Sequence, residues 1–236
     1  MKALLLRVGI DKGYGALSPV FSDMSFEYIP IFIRNIKEIE KNEKRSYSSL
    51  KGFTNKFLSE YLHEKLKDKL VHLDPEFKTF TYGDPTRVKR SALLKLEKDD
   101  LLIFYIGGKK QIGKNSFEDG CFIVGFFEIM KIVDWNNTTP DEKKIYQREF
   151  KNNAHIISSK SRNNLVMVMG NSKSKLLKKC IKISKCNSPI TNPPYITSPE
   201  FQSKYGLRKN IVRAVPMYIN DQSKIKLLKE LLQKNI

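Results

Sequence analysis

Leu101-Leu-Ile-Phe-Tyr-Ile106 and Cys121-Phe-Ile-Val-Gly-Phe-Phe-Glu-Ile-Met-Lys-Ile-Val133 carry the strongest β signal in the chain. Branched and aromatic side chains crowd both runs, as they do in strands buried on both faces. The residues between them are polar, basic and glycine-bearing, so the pair reads as a hairpin. Gly125 interrupts the longer run and marks a bulge or bend. Ahead of the hairpin, Ala3-Leu-Leu-Leu6 is a further buried strand, and Tyr28–Ile33 is a short one held near an edge by Pro30. Behind it, Asn153–Ile157, Leu165–Met169 and Ile181–Ile183 are strand candidates.

Helical spacing appears in five places. Thr54 can cap a helix through Leu70, because Phe57, Leu58, Tyr61, Leu62 and Leu66 fall on one face. Arg87–Leu96 is a second helix, and Pro140–Phe150 a third with proline in its first turn. Lys173–Lys179 reads as a short basic helix, and residues 221–235 as a basic amphipathic helix that packs on the core. The charge-dense stretch Arg34–Tyr47 is expected to be a mobile connector, and Asn187–Ser198, with its three prolines, a surface loop. No repeat or clear linker divides the chain. The expectation is one α+β domain over residues 1–236, with a mixed, strongly bent or barrel-like sheet flanked by helices.

Charge narrows the partner. Lys and Arg number 43 against 25 Asp and Glu, a net +18, which favours nucleic acid or a nucleotide. An acidic membrane surface is the competitor, but the terminal helix lacks aromatic anchors. No stretch approaches the ~18 apolar residues of a membrane span. Met1-Lys2 opens no export signal, since Arg7 and Asp11 break the apolar run that follows. Cys121, Cys180 and Cys186 are odd in number and form no Cys-x-x-Cys pair. Together with His63, His72 and His155 they show no metal-ligand spacing, so no metal site is expected. These features suit a reduced, cytoplasmic protein; they name no cofactor and no oligomeric state.

Three motifs carry chemistry. Arg7-Val-Gly-Ile-Asp-Lys-Gly-Tyr-Gly-Ala-Leu-Ser-Pro19 follows the first strand directly. Gly9, Gly13 and Gly15 permit positive φ, and their N–H groups could form an anion-binding concavity. Such a loop can also simply turn the chain. Gly108-Lys-Lys-Gln-Ile-Gly-Lys114 nearly spells a phosphate-binding P-loop. Asn115 stands where that loop needs Ser or Thr, and a strand rather than a helix follows. Lys109, Lys110 and Lys114 read instead as a basic hairpin tip for a phosphate backbone. His72-Leu-Asp-Pro75 sets an imidazole and a carboxylate on one side of an extended segment, as an acid–base pair or as a turn. Asn153-Ala-His155, Ser158-Ser159 and Arg162 form another polar cluster.

The chain resembles the nucleotide modification associated domain family, type three. The likeness rests on Arg7-x-Gly9-x-Asp11 with Gly15 and Ser18-Pro19. His72-x-Asp74-Pro75 and Asp100-Leu-Leu-Ile-Phe follow, then Tyr205-Gly-Leu and Arg213. Val8 and Ile10 depart from the charged and aromatic residues expected there. Locally, Lys95–Tyr105 and Ile123–Met130 resemble the central hairpin of PUA-like domains, which bind nucleic acid and often a modified base. These resemblances imply a role in DNA or nucleotide base modification. One pocket would then gather Asp11, His72 and Asp74 as catalytic groups, with Arg7, Gly9, Lys12, Gly13, Tyr14, Gly15, Ser18, His155, Arg162 and Arg213 binding the nucleotide. In that pocket Arg7 and Lys12 hold phosphate, Tyr14 stacks on the base, and Asp11 or Asp74 reads a base edge or acts as general base. A modified-base reader without chemistry and a basic scaffold for a protein partner are the alternatives.

Overall fold

The computed structural model describes residues 1–34, 43–158, 163–185 and 195–236. Its strands are β1 (Ala3–Arg7), β2 (Ser18–Val20), β3 (Ile31–Phe32), β4 (Val71–His72), β5 (Thr81–Asp84) and β6 (Leu101–Gln111). They continue as β7 (Phe117–Asp134), β8 (Val166–Gly170), β9 (Lys175–Lys182), β10 (Tyr195–Ile196), β11 (Asn210–Ile211) and β12 (Met217–Ile219). The helices are α1 (Arg87–Leu93), α2 (Pro140–Glu149), α3 (Ala154–Ile157), α4 (Pro199–Ser203) and α5 (Gln222–Gln233).

The hairpin of β6 and β7 is the spine. It pairs from Leu101 opposite Glu128 out to Gln111 opposite Phe117. Phe104 faces Gly125 but Tyr105 faces Ile123, so Val124 is the extra residue of a bulge at the place the glycine marked. The free edge of β6 takes β1 and then β2, both parallel; that of β7 takes β9 and β8, both antiparallel. Eight strands form this mixed sheet: six follow the path β12-β1-β6-β7-β8-β5, with β2 on β6 and β9 on β7 off it, and the sheet stays open. The architecture is α+β, as expected. Parallel pairing sends the carboxyl end of β1 and the outgoing tip of the hairpin toward one end of the sheet, and Arg7 is delivered there.

The core gathers both sheet faces, with Phe104 touching Phe77, Tyr82 and Phe127 at ring separations of 5.7, 5.3 and 4.7 Å. A second cluster holds Ile10, Ile29, Tyr47, Leu58, Leu62 and Val71, and a third Val133, Trp135, Phe150, Ile156, Leu165 and Met167. Helix α5 forms where it was expected: Asp221 caps it by accepting the N–H groups of Ser223 and Lys224, and Ile225, Leu228 and Leu232 are buried.

From α5, Lys229 reaches back to Glu128 at 2.6 Å, where Asn171 and Lys173 also donate. Burial alone would raise the Glu128 carboxyl, but these donors outweigh it and hold the group at about 2 against an ordinary 4.5. A depressed carboxyl stabilises the fold fully above its unfolded value and ceases to do so as pH falls through the folded one. Lys229→Met should therefore cost about 1–2 kcal/mol at neutral pH. The gap from the parent protein should narrow from about pH 4.5 down toward pH 2. Urea melts across that window measure it, and a pH-independent gap would contradict the assignment.

Three segments differ from expectation. Residues 54–70 hold two short 3-10 turns, Leu58–Tyr61 and Glu64–Leu66, instead of a helix. The N–H groups of Leu58 and Ser59 go to Leu50 and Tyr47, and the buried Glu27 carboxylate takes those of Phe53 and Thr54. With those donors spent elsewhere, and Asn55 at φ +64°, no helix can start. Asn153–Ile157 is helix α3 rather than a strand, because the Asn153 side chain caps the His155 N–H at 3.0 Å. Lys173–Lys179 lies mostly in β9, which fills the open edge of β7. Residues 35–42 of the expected connector and 187–194 of the expected loop lie outside the described residues, as does Cys186. Among the described residues no helix is long and apolar enough to cross a membrane.

Candidate functional site

The glycine loop closes on itself. Gly9 takes φ +72° directly after β1, where only a residue without a side chain is comfortable. Beyond it, one Asp11 carboxylate oxygen accepts the Gly13 N–H at 2.9 Å, and the Asp11 carbonyl accepts that of Tyr14 at 2.7 Å. The Lys12 carbonyl takes the Gly15 N–H at 3.0 Å. Of the glycine N–H groups expected to cradle an anion, those of Gly13 and Gly15 are thus consumed inside the loop. The second Asp11 oxygen pairs with the Arg213 guanidinium, so this buried carboxylate fixes an arginine instead of facing the cavity. Lys12 is exposed and paired to Asp119 at 2.7 Å. Ser18 is fully buried, its hydroxyl accepting from the Ile29 N–H at 3.4 Å.

A cavity of about 760 Å³ opens beside this loop, lined among others by Arg7, Gly9, Tyr14, His72, Asp74 and His155. Arg213 lines it too. The Arg7 guanidinium lies across Gly107, where a β-carbon would collide with it. Arg7 Nε is buried with no hydrogen-bond partner among the described residues, and the group meets the Tyr195 ring at 5.6 Å. Burial and the neighbouring Arg7 charge both lower the pKa of Arg213. The Arg7 and Arg213 guanidiniums therefore share the cavity wall, and of these two only Arg213 has a carboxylate partner among the described residues. Tyr14 is already covered: Arg34 lies 4.1 Å and Arg213 5.4 Å from its ring centre, with Phe32 edge-on at 5.2 Å. A base stacking on Tyr14 would have to displace one of these arginines.

Another part of the wall is made by His72, Asp74 and His155, brought in by β4, the loop before β5, and α3. Asn153, wholly buried, organises them. Its Nδ2 donates to Asp74 Oδ1 at 2.7 Å while its Oδ1 accepts the His155 N–H. Gly83 N–H donates to the same Asp74 oxygen at 2.9 Å. Gly83 also makes room, because a β-carbon there would come within 2.9 Å of the His155 ring. Asp74 Oδ2 is left facing His155 Nε2 at 3.6 Å, beyond a hydrogen bond. His72 and His155 meet edge to face, ring centres 4.7 Å apart. Burial, helped by His155, drives the His72 pKa down to about 4 although Asp74, Asp84 and Glu43 pull the other way; at neutral pH it is an uncharged imidazole.

A family model described as nucleotide modification associated domain 3 matches residues 2–217. The chain belongs to that family. Neither a curated relative nor a solved structure matches it. The domain 3 match spans the whole pocket from Arg7 to Ala214 and stops short of α5.

Within this nucleotide modification associated domain, the residues singled out from sequence divide cleanly. Arg7, Gly9, Tyr14, His72, Asp74, His155 and Arg213 line one cavity. Asp11 stands behind it through Arg213, whereas Lys12, Gly13, Gly15 and Ser18 do not line it. Arg162 lies outside the described residues, as does Ser159. Lys109, Lys110 and Lys114 belong to the hairpin tip, where Lys109 sits 4.6 Å from the centre of the Phe117 ring. Arg34, Tyr82, Asp84, Arg87 and Lys89 also line the cavity and were not anticipated. Asp84-Pro-Thr86, a helix start with two oxygen-bearing side chains, was the signal available for that rim.

Proposed function

We propose that the chain binds a nucleotide, free or within nucleic acid, in this cavity in the course of base modification. The observation that carries the reading is the pair Arg7 and Arg213, together on the wall, with no carboxylate on Arg7 among the described residues. Like charges held this close call for an anion, and a phosphate suits the planar guanidinium fork. The surplus of +18 and the family membership agree with it. Asp11 acts by holding Arg213 in place, while His72, Asp74 and His155 are the groups that meet the reacting part of the ligand. Lys109, Lys110 and Lys114 lie on the hairpin end to which β1 also points, suited to the backbone of a longer strand. A reduced cytoplasmic setting fits the buried free thiols of Cys121 and Cys180.

Titration with deoxynucleoside monophosphates and short single-stranded DNA tests this. Binding should weaken with salt, each neutralised phosphate contributing roughly −0.7 to the log–log slope on a single strand. Arg7→Ala should reduce affinity about 10–100-fold, the loss of one charge-assisted pair, with Arg7→Lys in between. Saturable binding that ignores Arg7→Ala, or no binding even at low salt, would overturn the reading.

A further inference from the structure

We propose that His72, Asp74 and His155 hold one divalent transition-metal ion. Each residue offers a ligand atom, and those atoms all lie within 4.8 Å of one another. Around an ion with bonds near 2.0–2.2 Å, donors stand roughly 3–4 Å apart, so small side-chain rotations close the set. The three come from separate elements, yet their contacts leave the ligand atoms free. Gly83 and Asn153 both donate to Asp74 Oδ1, which leaves Oδ2 accepting no hydrogen bond among the described residues. Neither imidazole is hydrogen-bonded through its ring to a described residue, and both rings are half-buried on the wall of the cavity. An ion at the common focus of the three groups would engage them together.

The donor set selects the ion. Two imidazoles and one carboxylate suit zinc, iron, cobalt or manganese, whereas magnesium and calcium prefer all-oxygen surroundings. Three protein ligands also leave coordination positions open, as in catalytic rather than structural sites. Those positions face the cavity that Arg7 and Arg213 also line. If the nucleotide reading holds, a ligand oxygen or a water could complete the sphere there; the metal itself does not depend on it. Asn153 is the positioning residue, since it aims Asp74 and caps the helix that carries His155.

Protein freed of metal with a chelator should bind Zn²⁺ at one per chain by calorimetry, and Co²⁺ should give visible d–d bands. His155→Ala and His72→Ala should each weaken binding at least about 10-fold, and Asn153→Ala roughly 10–100-fold. His63→Ala is the control, because His63 caps the Glu64–Leu66 turn and does not line the cavity. His155→Gln, closer in size, covers the event that the alanine variant unfolds, and a thermal melt on every variant confirms folding. Arg7→Ala should leave Zn²⁺ binding unchanged while nucleotide affinity falls, so the two readings fail separately. One-to-one binding that survives folded His155→Ala or His155→Gln, or no stoichiometric binding of either ion, would overturn the metal site.

Discussion

Replacing Asn153 by alanine is expected to cost about 3 kcal/mol of stability, more than any other polar change at the cavity. One side chain gives up a donor to the buried Asp74 carboxylate, a contact to Thr81 and the cap of α3. The charged partner is left short of a donor in a low-dielectric setting, where an unsatisfied group is most costly. Asn153→Asp keeps the shape and the cap but sets a second carboxylate against Asp74, so it should cost more than alanine at neutral pH. Chemical denaturation of both variants measures this. A loss below about 1 kcal/mol for alanine would mean that water takes over the role of the amide.

Phe104→Ala should cost about 3–5 kcal/mol, because it opens a cavity at the centre of the sheet. Phe104 is fully buried, packs on Phe77, Tyr82 and Phe127, and sits at the register shift of the hairpin. Phe104→Leu should cost clearly less by retaining most of the volume. Urea unfolding distinguishes the two. Near-equal losses would show that ring contacts, rather than filled volume, carry the effect.

The hairpin, α2 and α5 were legible because each declares itself locally. Phe104 and Ile123 lie in dense apolar runs, Pro140 starts a turn behind the capping Thr139, and Asp221 caps a stripe of buried leucines and isoleucine. The turns near Leu58 were illegible because helical spacing there serves a second small core instead. What decides them is Glu27, some two dozen residues upstream, which takes the local backbone donors. For the same reason the first part of β9 could not be read, although Ile181 at its end was: Lys175–Lys179 has little alternation, and the unfilled edge of β7 imposes its conformation. At the site, sequence could supply His72 and Asp74 as neighbours. His155 was expected in the same pocket, but nothing local showed that Asn153 would hold it there, or that Asp11 would turn away to Arg213. Those are contacts across the fold, and local chemistry is silent about them.

Sequence-distant strands meet in the sheet, Ala3 opposite Ile219, and the pair Asp11–Arg213 spans 202 positions. During synthesis, then, the glycine loop emerges and must wait for its partner. At roughly 5–20 residues per second, Arg213 follows about 10–40 s later. Until then β1 lacks β12 and Asp11 is a carboxylate without its arginine. The cavity wall that carries Arg7 and Arg213 thus cannot be completed before residue 213 is made, and a chain interrupted earlier would carry the hairpin but only one of the two arginines.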